Sequence, residues 1–161
     1  MSDLKIKIFP EEILRKKAKR IASVTVGEKK DLTEMAKVMY LSGGVGLAAV
    51  QVGIDKQLVV IDVGDGLIKM INPSIVKSHG KETAEEGCLS VPGTIVNVRR
   101  AKSVTANYLN EDGEVIQLKA DGLLARAIQH EIDHLLGKLI IDYINPIEKI
   151  LVRNRLSKRG K

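Results

Sequence analysis

Asp121-Gly122-Leu123-Leu124-Ala125-Arg126-Ala127-Ile128-Gln129-His130-Glu131-Ile132-Asp133-His134-Leu135-Leu136-Gly137 is the stretch whose reading decides the fold. Leu123, Leu124, Ala127, Ile128, Ile132 and Leu135 recur at the spacing of one helical face, so the segment reads as an amphipathic helix. Asp121 is placed to cap its start and Gly137 to stop it. Residues four apart on a helix lie one turn above each other, which gives His130 and His134 a shared face. Two imidazoles so placed can bind one tetrahedral metal ion, and Glu131 can reach a water there without being a ligand. The bland alternative is a surface helix that carries two histidines and a glutamate. The agreement of the motif with independent helical signals favours the first reading.

Outward from this helix the pattern changes twice. Upstream, Pro10-Glu11-Glu12 reads as a helix start, with Ile13, Leu14, Ala18 and Ile21 as its apolar stripe. Glu28 to Leu41 reads as a second helix, with Leu32, Met35, Ala36 and Met39 facing inward, ended by Ser42-Gly43-Gly44. Leu58–Val63, Lys69–Asn72, Ile95–Val98, Val104–Leu109 and Val115–Leu118 then read as short strands rich in β-branched residues. Asn110-Glu111-Asp112-Gly113 supplies a hairpin turn. Downstream, Leu139–Tyr143 reads as one more short strand, and Pro146 opens a final basic helix. Without regular βαβ alternation, this order gives an α+β fold: short antiparallel or mixed sheets packed around the central helix that carries His130 and His134. The expectation is one catalytic domain spanning 1–161, with 145–161 as a basic C-terminal helix.

Composition narrows the function classes. A hydrophobic fraction of 44% beside a charged fraction of 29% is that of an ordinary soluble protein. Phe9, Tyr40, Tyr108 and Tyr143 are the only aromatic residues, too few for a base-stacking platform, and nothing points to DNA. Cys88 is the only cysteine, so an intrachain disulfide is impossible and a reducing cytoplasm is the expected compartment. Met1 to Pro10 lacks the apolar core of a signal peptide, and no apolar run approaches a membrane span. The net charge of +6 suits an anionic partner or simply solubility.

Two histidines need a third ligand. His79 lies in the polar stretch Lys77-Ser78-His79-Gly80-Lys81 and reads as solvent-exposed. Cys88, in Glu85-Glu86-Gly87-Cys88-Leu89-Ser90, is the better candidate, because a thiolate binds Zn²⁺ or Fe²⁺ well. A third stretch, Gly44-Val45-Gly46-Leu47-Ala48-Ala49-Val50-Gln51, lets a backbone approach a ligand closely and puts an amide donor on Gln51. A dinucleotide fingerprint is rejected there, since a helix precedes it and the third glycine is missing.

Taken together, Gly44–Gln51, Glu86-Gly87-Cys88-Leu89-Ser90 and Gln129-His130-Glu131-Ile132-Asp133-His134 resemble, in order and spacing, the motifs of peptide deformylases. Weaker similarity runs through nearly the whole chain. The resemblance implies removal of the formyl group from the formyl-methionine of new polypeptides, with release of formate. It implies that Cys88, His130 and His134 hold one divalent metal ion and leave a position open for an acidified water. Glu131 would take the water's proton and pass it to the departing amine, while the Gln51 amide and the Leu89 N–H face the oxyanion. Backbone at Val45 and Gly46 would pair with the peptide. Val45, Leu123 and Ala127 would line the methionine pocket, although they serve equally well as core. The family favours Fe²⁺ as the native ion, with Zn²⁺ or Ni²⁺ as possible substitutes.

Two competitors are weighed against this. A peptidase of the same histidine motif commonly takes a histidine or glutamate downstream as third ligand, but after His134 Glu148 is the sole glutamate and there is no histidine. A basic ribosome-binding module with a structural metal would need a fourth protein ligand, and no second cysteine exists. The tail itself carries Lys149, Arg153, Arg155, Lys158, Arg159 and Lys161. It is expected to dock through Ile147, Ile150, Leu151 and Asn154 and to present its cations, either as a solvated terminus or as a ribosome contact.

Overall fold

The computed structural model describes residues 3–159. Its centre is β2 (Leu58–Ile61), four buried residues whose side chains alternate between two helices. Leu58 and Val60 pack with Leu32, Met35 and Met39 of α1 (Val26–Leu41). Val59 and Ile61 pack with Ala125, Ile128 and Leu135 of α2 (Gly122–Leu135). The two-residue period of a strand thus divides one short run between two cores.

β1 (Gly46–Ala48), β2, β3 (Ile68–His79), β6 (Ser103–Leu109) and β7 (Val115–Asp121) form an antiparallel sheet in the order β1-β2-β3-β6-β7. β4 (Glu82–Glu86) and β5 (Val96–Arg100) make a separate antiparallel ribbon. The architecture is the expected α+β arrangement, with strand limits shifted by a few residues. β1 and β4 were not expected. β4, Glu-Thr-Ala-Glu-Glu, has weak strand propensity and is held from outside: Arg126 of α2 donates to the carbonyls of Glu82 and Val98. Gln129 of the same helix makes paired bonds with the backbone of Ala101.

α1 starts at Val26, two residues before the expected Glu28. Thr25 is its N-cap, accepting from the Gly27 N–H at 3.2 Å, and Glu28 reaches back to the Thr25 N–H at 2.8 Å. Those Thr25 bonds, joined by Lys56 and opposed by burial, hold the Glu28 carboxyl down at about 2. α2 ends in a left-handed Gly137, with the Lys138 N–H bonded to the Asp133 carbonyl at 2.9 Å, so the expected stop is in place.

Three expectations are corrected. The segment after Pro10 forms only a 3₁₀ turn, Glu12–Arg15. A helix through Arg15, Lys16, Lys19 and Arg20 would stack like charges four apart. The chain instead runs as a strap across the end of α2, where the Ala18 N–H bonds the Leu135 carbonyl at 2.8 Å. Leu139–Tyr143 is not a strand: Ile140–Tyr143 is a 3₁₀ turn, because the Asp142 carboxylate accepts from the Leu139 N–H and folds the backbone over. α3 (Pro146–Arg159) exists as expected but is rolled the other way. Ile147, Ile150 and Leu151 are exposed, while Leu156 is buried beside Phe9 and Leu14, with Val152 packed against them. Lys149 bonds Asp142 at 2.6 Å, and Arg155 donates to the carbonyls of Pro92 and Gly93. These polar anchors fix the roll. Lys161 lies outside the described residues.

Asn72 gives a stability prediction. It sits at positive φ (51°), where β3 shifts register ahead of Pro73. Its amide brackets Ile21, accepting from the N–H at 2.9 Å and donating to the carbonyl at 2.8 Å. Asn72→Ala leaves two backbone groups without these partners and puts alanine where asparagine is tolerated, so a loss of about 2–4 kcal/mol is expected in urea unfolding.

Candidate metal centre and active site

α2 presents His130, Glu131 and His134 toward the segment that follows β4, where Cys88 lies. The Nε2 atoms of the two histidines are 3.2 Å apart, and Cys88 Sγ is 3.4 Å from His134 Nε2. Bond lengths to Zn²⁺ imply donor separations of about 3.3 Å for N–N and about 3.6 Å for S–N in a tetrahedral site. These two separations are nearly those one ion requires, and all three donors lie within 4.8 Å of one another. His79, the other sequence candidate, is exposed at the end of β3 and is not part of this cluster.

The charges around the donors also suit a cation. Glu86 accepts from His130 Nδ1 at 2.9 Å, and a carboxylate can only accept, so the proton sits on Nδ1 and the Nε2 lone pair faces the cluster. Burial pushes the Glu86 carboxyl up, but Arg100 and His130 more than reverse this and hold it at about 2. Burial lowers the His130 pKa, but Cys88, Glu86 and Glu131 outweigh it and raise it to about 10. The second proton this favours sits on Nε2, where a cation among the donors would displace it and leave the Nδ1 proton on Glu86. His134 is fully buried and held neutral by burial.

Glu131 is 4% exposed, and burial pushes its carboxyl up to about 7. Its Oε2 and the Nδ1 of His134 are two of only three buried side-chain atoms without a hydrogen bond among the described residues. Such atoms concentrate where a structure is set for a ligand. A Cβ on Gly46 would lie 2.7 Å from Glu131 Oε1, so the missing side chain at Gly46 makes room for the carboxylate. Gly46 is not in the left-handed region, and the three atoms nearest an alanine Cβ there all belong to Glu131. Gly46→Ala is expected to lower kcat by about 10–100-fold with little loss of thermal stability, measured on the metal-loaded protein.

Gln51 lies in a 3₁₀ turn, Ala49–Val52, after β1. Its Oε1 accepts from the Ala48 N–H at 2.9 Å, which fixes the amide. Nε2 then points to the Cys88 segment, 3.1 Å from Ser90 Oγ and 3.6 Å from Cys88 Sγ.

A cavity of ≈ 180 Å³ brings these groups together. Val45, Gly46, Gln51, Cys88, Leu89, Leu123, Ala127, His130 and Glu131 all line it. His134 stands behind, 0% exposed. Leu123, read from the sequence equally as pocket wall or as core, is 55% exposed and borders the cavity. A larger depression, ≈ 640 Å³, covers Lys77, His79 and Lys119; it lacks the thiol–imidazole cluster and the buried carboxylate, so size does not mark the site. Sequence reasoning gave no role to Glu86, Arg100, Arg126 or Tyr143. β5 held a signal: Val96, Val98 and Arg100 alternate on its buried face, and a charge on such a face announces a buried partner.

An α+β fold whose helix offers two histidines and a buried glutamate to a cysteine has the donor set of a metal-dependent hydrolase. The model of the polypeptide deformylase family matches residues 3–150, and the chain belongs to that family. It is 45% identical over 164 aligned residues to a peptide deformylase of Pseudoalteromonas translucida, covering 100% of this chain and 98% of the relative. The peptide deformylase of Thermodesulfovibrio yellowstonii is 43% identical, with 99% of both chains covered. Among solved structures, the peptide deformylase of Legionella pneumophila superposes with a TM-score of 0.91 at 41% identity, covering 98% of this chain and 95% of that one. That of Ehrlichia chaffeensis in complex with actinonin gives 0.97 at 33% identity, covering 100% and 99%. The chain is thus an amide hydrolase that removes the formyl group from the N-terminus of peptides.

Proposed function

We propose that the cavity bordered by α2, β1 and the Cys88 segment is where a formyl-methionyl peptide is hydrolysed to formate and a free amine, and that 1–161 acts as one catalytic domain. The observation that carries this reading is the convergence on one cavity of the thiol–imidazole donors, a buried carboxylate and a fixed amide donor. Cys88, His130 and His134 would hold a divalent cation, which when bound polarises a carbonyl oxygen and acidifies water near neutral pH. Glu131 accepts the proton of the attacking water and returns it to the amine as the C–N bond breaks. The Gln51 Nε2–H and the Leu89 N–H stabilise the charge that builds on the formyl oxygen. β1 is an edge strand, and Val45 and Gly46 at its start offer backbone groups to an extended peptide. Val45, Leu123 and Ala127 receive the methionine side chain.

Formate release from formyl-Met-Ala, its loss on treatment with a chelator, and no cleavage of casein are the expected results. Chelator-resistant turnover, or proteolysis of casein, would overturn the assignment. Gln51→Leu removes the amide donor but not the donor cluster, so kcat should fall by about 10²–10³-fold with cation content unchanged.

One thiolate with two imidazoles suits Fe²⁺ as well as Zn²⁺. Fe²⁺ is the proposed native ion, with Zn²⁺ and Ni²⁺ as replacements; elemental analysis after anaerobic purification tests this. The free Cys88 supports a cytoplasmic location, and among the described residues no helix is long and apolar enough to cross a membrane. The nascent chain emerges from a particle made largely of RNA, and α3 turns Arg153 and Lys158 to solvent. A ribosome contact through these residues is proposed. Truncating α3 would remove the buried Leu156, so Arg153→Glu with Lys158→Glu is the cleaner test. Reduced co-sedimentation with ribosomes at low salt is expected, and unchanged co-sedimentation would refute it.

A further inference from the structure

Arg100 stands at a junction of four pieces of chain. From β5 its guanidinium grips Glu86 of β4 with two parallel bonds, Nε to Oε2 at 2.6 Å and Nη2 to Oε1 at 2.8 Å. Nη1 donates to Asp133 Oδ2 of α2 at 2.9 Å. The Tyr143 hydroxyl, from the turn after α2, donates to the same Oδ2 at 2.7 Å and lies 3.4 Å from Nη1. Glu86 in turn accepts from His130 Nδ1. The Tyr143 ring is held by two cations, with Lys138 Nζ 4.3 Å and Arg100 Cζ 5.3 Å from its centroid.

The connectivity matters more than any one bond. Cys88 follows Glu86 by two residues, and His130 precedes Asp133 by three. The Arg100 guanidinium therefore ties the strand that delivers the thiol to the helix that delivers both imidazoles, beside the direct bond from Arg126 of that helix to Glu86 Oε2 at 2.7 Å. The Arg100 side chain is 4% exposed, that of Glu86 6% and that of Asp133 18%. Buried ion pairs of this kind contribute little net stability over apolar packing, so stability alone does not account for them. Partners one shell out from a metal ligand, in contrast, commonly govern affinity through ligand orientation.

We propose that Tyr143, acting through Asp133 and Arg100, is a positioning residue for the metal centre. The chain Tyr143–Asp133–Arg100–Glu86 sets the pitch of the His130 ring and the spacing between Cys88 and α2. It thereby sets the affinity of the site for divalent cations that favour imidazole and thiolate. This rests on the reading that Cys88, His130 and His134 hold the ion.

Tyr143→Phe keeps the ring and removes one hydroxyl, and Asp133→Asn keeps the shape and removes the charge. Zn²⁺ affinity of each full-length variant is measured by competition with a chromophoric chelator, beside Cys88→Ala and the unaltered protein. The Kd for Zn²⁺ should rise about tenfold in Tyr143→Phe and about 10–100-fold in Asp133→Asn. The thiolate-to-metal absorption band of the Co²⁺-substituted variants should persist but shift, as the donors remain and their geometry changes. A residue with only a structural role would lower the melting temperature of the metal-free protein and leave the Kd as it was, and that result overturns the proposal. Should Asp133→Asn not fold, Tyr143→Phe decides alone. Wild-type Zn²⁺ affinity in Cys88→Ala would instead overturn the donor assignment on which the proposal rests, a failure distinct from its own.

Discussion

Glu131→Gln is expected to retain a full complement of metal and to lower kcat by about 10²–10⁴-fold, the usual contribution of a positioned general base. The amide matches the carboxylate in shape, so the close fit against Gly46 survives. What disappears is the capacity to take a proton. Glu131 suits that task because burial, weakly opposed by His130 and Arg100, raises its carboxyl toward neutrality, where a group can both accept and release a proton. The amide also removes a carboxylate whose charge burial penalises, which should leave the fold as stable or slightly more so. Metal content by elemental analysis, kcat from formate release and a thermal melt together decide the matter. A kcat within tenfold of wild type would mean that another group serves as the base.

Cys88→Ala should affect a different quantity. Removing the thiolate leaves two imidazoles with a spacing of four residues, and one lost ligand is expected to weaken cation binding by at least about 10²-fold, with activity falling in proportion to occupancy. Gln51 Nε2 keeps its bond to Ser90 Oγ, so the oxyanion side of the cavity should hold its shape. Excess Zn²⁺ or Ni²⁺ should restore part of the activity if the thiolate only holds the ion. Full metal content after dialysis would exclude Cys88 as a ligand.

Much of this molecule could be read from local sequence. α2 was legible because period, stop and motif all lay within one stretch, and the α+β order followed from the change of period after Gly44. The start of α1 is also legible in principle, since Thr25 and Glu28 form a capping box, but the apolar stripe by itself begins later, at Leu32. Other features depend on partners distant in the chain. β4 is a strand because Arg126 reaches across to it, and the Asp142 carboxylate that turns Leu139–Tyr143 through its bond to the Leu139 N–H is itself held by Arg15, 127 residues away. In α3, Ile147, Ile150 and Leu151 promised an inward face by period, yet Lys149, Arg155 and Leu156 decided the roll. The site divides the same way. Chemistry-bearing types at motif spacing identified Cys88, Gln51, His130, Glu131 and His134, whereas the pairing of Arg100 with Glu86 and Asp133 is a fact of tertiary structure.

The strap across the end of α2 bears on how the chain is made. Arg15 bonds the Gly137 carbonyl across 122 residues of sequence and the Asp142 carboxylate across 127. A Cβ on Gly137 would meet the Arg15 carbonyl oxygen at 2.6 Å, so the two segments close on each other without slack. Contacts of such separation cost loop-closure entropy early and repay it late, which slows folding. During synthesis the Arg15 segment must wait, undocked, until Gly137 and Asp142 have left the ribosome. Closure of the domain therefore lags the making of α2 itself, and a newly made copy gains its docked helix end only once Asp142 has emerged.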